Sequence, residues 1–411
     1  MSPEGVVCLW EDVFLLDGLR TPFVDYNGAL AHISPTDLGI KVGKAVVKRS
    51  GILADDIGTV ICGSVAQASF DAYMLPRHIG IYSGAPIKTP AHLVQRVCGT
   101  GIEVLSQAAD AISLGRTDVA LCVGAESMSR NPVAAYTHRG GFRLGQIEFK
   151  DFLWESLFDP APGATMGQTA ENLAIQYQIS RQEVDAYAAR SFDRAIAARA
   201  RDFFSNEIIP VTDEQFEREG FAPRGIKLGK GATVTEDTHV KPSSVEKLAA
   251  IRPAFNGVQT GGNSSGVVDG AAAAVVTSGA YAREHTMTPL ARIVACAVIG
   301  VPPDIMGIGP VPAIRAVLNA AGLKLPEVDR IEINEAFGAQ ALACSRELGL
   351  DEEKLNVNGG AIAIGHPLGA TGLRLAITIA REMQSRSLKY GVVSACIGGG
   401  QGIAMLLENP T

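Results

Sequence analysis

Residues 40–63 read as an amphipathic helix, a glycine stop at Gly51 and a short β-branched strand, Thr59-Val60-Ile61-Cys62. A shift of 271 residues lays this stretch on residues 311–334 without a gap. Ala45-Val46 then meets Ala316-Val317, Gly51 meets Gly322, and the second strand is Arg330-Ile331-Glu332-Ile333. The same shift sets Cys98-Gly99-Thr100-Gly101 over Gly369-Ala370-Thr371-Gly372, each opening a helix. Farther on, Val119-Ala120-Leu121-Cys122 and Val392-Val393-Ser394-Ala395-Cys396 both read as buried strands, with a small gap in the alignment. A constant offset with one element order predicts two duplicated α/β halves.

Between the halves the pattern changes. From about Arg130 to Arg252 the chain is more charged and richer in turn signals, such as Pro160-Ala161-Pro162-Gly163. One helix is marked there by the capping box Ser180-Arg181-Gln182-Glu183. The organisation expected is 1–129 for the first part of an N-terminal half, 130–252 for an inserted loop or lid domain, 253–280 for the return strand, and 281–411 for the C-terminal half. Near the start, Ser34-Pro35-Thr36-Asp37 reads as a capped helix with proline in its first turn.

Composition narrows the function classes. With 47% apolar and 19% charged residues the chain is globular, and a net charge of −7 argues against nucleic acid as a partner. No apolar run is long enough for a membrane span, and none is expected. Seven widely spaced cysteines without a C-x-x-C argue against a disulfide framework or a structural zinc, and point to a reducing compartment. Glu4, Glu11 and Asp12 lie where a leader would carry basic residues, so a cytoplasmic location is expected.

Three glycine-framed stretches carry the chemistry: Cys98 in Val97-Cys98-Gly99-Thr100-Gly101, His366 in Gly365-His366-Pro367, and Cys396 in Cys396-Ile397-Gly398-Gly399-Gly400. Cys98 stands at a helix N-terminus, a placement that lowers a thiol pKa and favours a nucleophile. His366 is a candidate base, and the turn after Cys396 offers backbone N–H groups to an oxyanion. Each has a blander alternative: a small buried thiol, a histidine bonded within a turn, a redox-silent core cysteine. Gly398-Gly399-Gly400-Gln401-Gly402 is no dinucleotide fingerprint, because no βαβ unit follows it. Asn334-Glu335 ends the second-half strand, with Asn334 placed to fix a water and Glu335 either a base or an orienter of His366. The loop Gly261 to Gly266 offers backbone and serine hydroxyls to a ligand, and Arg139, Arg143, Lys150, Arg224, Lys227 and Lys230 are candidates for phosphate contact.

Together, Asn334-Glu335-Ala336-Phe337, Gly365-His366-Pro367 and Cys396-x-Gly398-Gly399-Gly400 in that order resemble the thiolase family of acyl-CoA acyltransferases, from Arg20-Thr21-Pro22-Phe23 onwards. The resemblance implies a duplicated five-layered αβαβα fold with an inserted loop domain. It implies that Cys98 accepts the acyl group, His366 takes its proton, and Cys396 moves a proton at the α-carbon of acetyl-CoA. Asn334 would hold a water beside His366 in one oxyanion hole, and the N–H groups of Cys98 and Gly398 would form a second. Ser265 matches a position that contacts pantetheine, with Met166 and Phe337 lining the acyl end. Arg224 and Lys227 are then the expected CoA-phosphate contacts.

Acyl-CoA and CoA are the implied partners, CoA being a co-substrate rather than a bound cofactor, with no metal and a homodimer or homotetramer as the assembly. The reaction implied is ping-pong cleavage of 3-ketoacyl-CoA by CoA, as in fatty acid β-oxidation, or the reverse condensation. An acetoacetyl-CoA-specific biosynthetic enzyme is the alternative. Short-chain members often carry a histidine where this chain has Thr165, which favours a broader substrate range. A ketoacyl synthase would need a histidine or asparagine in place of Cys396, and a non-catalytic CoA-binding protein would not need all four polar site residues.

Overall fold

The computed structural model describes residues 5–66, 71–136, 138–229 and 232–410, so Lys230 lies outside the described residues. The main elements of the first half are β1 (Val6–Leu9), β2 (Val13–Arg20), α1 (Pro35–Ser50), β3 (Thr59–Gly63), α2 (Leu75–Tyr82), β4 (Ala91–Val94), α3 (Thr100–Ser113) and β5 (Val119–Glu126). The inserted region holds α4 (Met166–Gln176), α5 (Arg181–Ala200) and short two-stranded ribbons, and β6 (Val268–Ser278) returns to the first half. The second half is β7 (Ala291–Gly300), α6 (Pro310–Ala320), β8 (Arg330–Ile333), α7 (Gly338–Leu348), α8 (Leu368–Arg386), β9 (Tyr390–Ile397) and β10 (Gln401–Glu408).

The strand order shows the duplication directly. In the first half it runs β3-β5-β6-β2, with β4 beyond β3; in the second it runs β8-β9-β10-β7. β3 lies parallel to β5 as β8 lies parallel to β9, and β4 is also parallel to β3; the pairs β5-β6, β6-β2, β9-β10 and β10-β7 are antiparallel. The first residues of β5 and β9, Val119 and Tyr390, differ by the offset read from the helices, so the gap expected in the alignment is absent from the structure. The halves join edge to edge where Phe14 and Leu15 of β2 pair with Arg292 and Ala291 of β7.

The layers follow from which helix faces are apolar. α1 and α2 cover the outer face of the first sheet and α6 the outer face of the second. α3 and α8 lie side by side between the sheets, α3 against β5 and α8 against both β6 and β9. This gives the expected αβαβα order. From Leu368 to Ala380 every residue of α8 is buried, as a helix packed on all sides requires.

α3 and α8 cross at Gly101 and Gly372, the pair that the repeat aligns. A Cβ on Gly101 would lie 2.6 Å from Leu373 N, and one on Gly372 would lie 2.3 Å from Ile102 N. Only hydrogen fits at either position. The inserted region is anchored by charge: Arg20, fully buried at the end of β2, donates to Glu207 at 2.7 Å and to both oxygens of Asp237 at 2.6 and 2.9 Å. Among the described residues no helix is long and apolar enough to cross a membrane.

Gly101→Ala is expected to destabilise the protein by about 1–3 kcal/mol through overpacking of the crossing. Gly300→Ala, where an added Cβ meets nothing within 4 Å, should leave the melting temperature unchanged. Thermal melts of the two variants beside the parent test this; equal melting temperatures would show that the crossing tolerates the methyl.

Candidate active site

Three sequence motifs meet where the ends of α3, α8 and β9 converge. Cys98 sits in a single 3₁₀ turn, Val97–Gly99, that runs into α3. The turn is tight: Val97 has φ +44°, a left-handed conformation that strains a β-branched residue and turns the next side chain out of the helical path. Thr100 fixes the turn, accepting from Arg96 N at 2.9 Å and donating to Val97 O at 2.6 Å.

The Cys98 thiol packs among Val65, Met128, Leu153 and Leu368. The backbone N–H groups of Gly398 and of Cys98 itself lie within hydrogen-bonding reach of the sulphur. Burial nevertheless dominates and pushes the thiol up to about 11, with those two N–H groups acting in the opposite sense. The expectation that the helix N-terminus would leave Cys98 with a lowered pKa is therefore corrected, because desolvation outweighs it.

Cys396, the penultimate residue of β9, lies next to Cys98 in an apolar pocket with Met166, Met306 and Ala336, bordered by Leu157 and Phe337. Burial, then the neighbouring thiols Cys98 and Cys344, hold it well above the ordinary range, so it keeps its proton. Met166 and Phe337 thus stand beside the second thiol. Gly398, just past it, faces Met166 and Val97.

His366 is buried in the turn before α8, its own N–H bonded to Gly266 O at 2.9 Å. Its Nδ1 lies 2.6 Å from Thr371 Oγ1, which lies 3.1 Å from Pro367 O. A carbonyl only accepts, so the hydroxyl proton goes to Pro367 and the Thr371 oxygen accepts from Nδ1–H. Nε2 is left with its lone pair, toward which Asn334 Nδ2 donates at 3.3 Å. Burial first, and the charge of Arg374 second, pull the imidazole down to about 3, so it is neutral at physiological pH. Asn334 Oδ1 is buried without a partner among the described residues, an orphan acceptor at the point where a water is expected.

Glu335 has another role than base or orienter of His366. Its carboxylate accepts from Tyr187 OH at 3.0 Å, Ser191 Oγ at 2.7 Å, Asn356 Nδ2 at 3.0 Å and Ile362 N at 3.1 Å. It ties α5 of the inserted region to the segment that leads to His366. Thr371 escaped the sequence reading, although the repeat had already set it over Thr100.

Ser265 bonds through its N–H to Ala336 O at 3.0 Å, which knits the glycine loop to the Asn334–Phe337 segment. Behind that loop a cavity of about 360 Å³ is lined by His239, Lys241, Ser243, Lys247, Gly261 and Gly262. Arg224 is placed otherwise than expected. Its guanidinium donates to Asp37 at 2.8 Å and to Asp71, so its donors are committed to carboxylates. With Lys227 it lines a different cavity, beside Ser34, Asp37 and Arg130. Of the two lysines that line the cavity behind the glycine loop, Lys241 lies in a loop and Lys247 in the short helix Val245–Ala249, and neither carries a sequence motif.

Residues 13–280 match the family model described as the thiolase N-terminal domain, and residues 287–409 match the thiolase C-terminal domain. The mitochondrial 3-ketoacyl-CoA thiolase of Homo sapiens is 42% identical over 408 residues, covering 98% of this chain and 100% of that protein. An acetyl-CoA acetyltransferase of Chromobacterium violaceum is 40% identical over 403 residues, with 97% and 100% covered. The crystal structure of the human mitochondrial enzyme in complex with CoA superposes with a TM-score of 0.92, covering 98% of this chain and 99% of that one.

The His366 environment sets a pH dependence. Its folded pKa is depressed below the unfolded value near 6.5, so the neutral imidazole contributes stability that is lost as pH falls from about 6.5 toward 3. Melting temperatures measured across that window should fall more steeply for the parent than for His366→Gln; parallel curves would show that His366 does not titrate differently on folding.

Proposed function

The chain belongs to the thiolase family, and we propose that its acyltransfer runs as a degradative, ping-pong cleavage of 3-ketoacyl-CoA thioesters over a broad range of chain lengths. It is an acyl-CoA C-acyltransferase. The observation that carries the mechanism is the pairing of two neighbouring protonated thiols, Cys98 with two backbone N–H donors at its sulphur and Cys396 beside it, where the Cys98 turn packs on β9 and on α8, the helix that the neutral His366 precedes.

The resting pair is a thiol and a neutral imidazole rather than an ion pair. Proton transfer from Cys98 to His366 Nε2 therefore accompanies attack of sulphur on the 3-keto carbon. The C2–C3 bond breaks, and its electron pair becomes the enolate of acetyl-CoA. A water on Asn334, together with His366, stabilises the enolate oxygen, and Cys396 gives its proton to the α-carbon. In the second half the CoA thiol gives its proton to the Cys396 thiolate as its sulphur bonds the acyl carbon, the carbon–sulphur bond to Cys98 breaks and Cys98 recovers its proton from His366; the acyl oxygen faces the N–H groups of Cys98 and Gly398. The reverse sequence is a Claisen condensation.

Thr165 supports the broad range. It caps α4, its hydroxyl accepting from Gln168 N at 3.3 Å, and so holds the helix rather than presenting an imidazole toward the substrate. Ser265, with Met166 and Phe337, is proposed to guide the pantetheine and acyl ends, and Lys241 and Lys247 to meet the CoA phosphates in the cavity behind the glycine loop. Exposed Leu144, Ile147, Phe149 and Trp154 in the inserted region support self-association into a dimer or tetramer. The seven free thiols support a reducing, cytoplasmic setting.

Thiolytic cleavage, followed as loss of the 3-ketoacyl-CoA enolate absorbance, tests the reading. Six- to ten-carbon substrates should be cleaved at least as well as acetoacetyl-CoA, and Cys98→Ala should abolish cleavage of all of them. Cleavage confined to acetoacetyl-CoA would overturn the broad range in favour of a short-chain biosynthetic enzyme. For the phosphate contacts, Lys241→Ala combined with Lys247→Ala should raise KM for CoA about tenfold at unchanged kcat; an unchanged KM would remove CoA from that cavity.

A further inference from the structure

Glu126 is the last residue of β5, fully buried, and no step of the acyltransfer uses it. Its carboxylate is saturated with donors from two directions. Oε2 accepts from Val65 N at 3.0 Å and from Gly369 N at 2.9 Å. Oε1 accepts from Ala66 N at 3.1 Å and from Ser64 Oγ at 3.4 Å. Residues 64–66 follow β3 of the first half, whereas Gly369 lies in the first turn of α8 of the second. Val65 and Leu368, one on each side of this bridge, both belong to the small apolar cluster that encloses Cys98.

We propose that Glu126 is a positioning residue: its ionised carboxylate clamps the loop after β3 to the start of α8, and so fixes the two walls of the Cys98 pocket and the turn that carries His366. The donor count requires the ionised form. Three backbone N–H groups cannot turn away, and a proton or an amide on either oxygen would face at least one of them. The pseudo-symmetry gives the placement its logic. Gly369 is the repeat counterpart of Cys98, and Glu126 stands one residue beyond the counterpart of Cys396. Where the second half ends its strand with a reactive thiol and free N–H donors beside α3, the first half ends its strand with an acceptor that caps α8.

The carboxylate also acts on Cys98 through its charge, which disfavours the thiolate. The other titratable groups around Cys98 are Cys396 at the end of β9 and His366 in the turn leading to Leu368, both neutral near pH 8. Arg96 is turned onto Glu103 at 2.8 Å and Gln401 at 3.0 Å. Removing the charge therefore eases thiol ionisation even as it loosens the walls, and the two effects separate in two variants.

The role rests on the acyltransfer proposed above, so the experiment pairs turnover with a readout that needs no substrate: alkylation of Cys98 by iodoacetamide at pH 8, followed by mass spectrometry of its peptide. Glu126→Gln should lower kcat about 30-fold, with KM for CoA within about threefold, because misplacement by an ångström costs up to about 100-fold. It should alkylate at least about threefold faster, because no neighbouring negative charge then disfavours the thiolate. Glu126→Asp keeps the charge but is too short to span both loops; it should lose comparable turnover while alkylating at the parent's rate. Glu126→Gln with turnover within twofold of the parent, or the two variants alkylating equally fast, overturns the proposal. If Glu126→Gln does not fold, Glu126→Asp decides alone, since parental turnover in that variant rules out the clamp. A parent that cleaves no thioester would overturn the proposed reaction instead, and would leave the alkylation contrast to judge the charge of Glu126.

Discussion

Everything in this fold hangs on the distance between two helices. At the crossing of α3 and α8 the backbones approach until Gly101 and Gly372 touch through their α-carbons, leaving no room for a methyl on either. That contact sets how far apart the two sheets stand, because each helix packs on its own sheet and also reaches the other. It also sets the site. Cys98 precedes α3 by one short turn, and His366 lies two residues before α8 begins. The close crossing brings both N-termini to the same end of the central layer, where the strand ends of β5 and β9 meet them.

Burial then decides the electrostatics. A thiol at a helix start is usually taken to be acidic, yet in this pocket desolvation leaves Cys98 protonated and His366 neutral. An apolar site that holds neutral reactants avoids the cost of an unpaired buried charge. It keeps its polar capacity in fixed N–H groups and in the Asn334 amide, which bear on charge only as it develops. Glu126, whose charge reaches Cys98, is itself saturated by donors.

Much of this was legible in the sequence, for a physical reason. Duplicated halves must bury equivalent faces, so the helix–glycine–strand pattern repeats at a fixed offset, and the strand order of the structure follows it. Cys98, His366 and Cys396 stood out in the sequence because each lies beside glycines, and Asn334 because it ends a strand of the second half. What stayed hidden were partners that meet only through tertiary contact. Thr371 looks like any helical threonine until it touches the imidazole, and Glu126 reads as the end of a strand. Glu335 drew attention through its neighbour Asn334, although its four donors come from α5 and from the segment between α7 and α8. Arg224 looked like a phosphate contact because a basic residue in a glycine-rich loop gives no sign of the carboxylates waiting for it.

The pairing of β2 with β7 bears on how such a chain arose. Each half on its own would expose that strand edge, and with it one bare side of a central helix. A half-length chain of this kind would have to cover both with a second copy of itself, in a two-fold contact where like meets like. Joining two such copies in one chain makes that association independent of concentration. It also freed the two copies to diverge, so that one strand end kept a nucleophile's partner while the other became a brace.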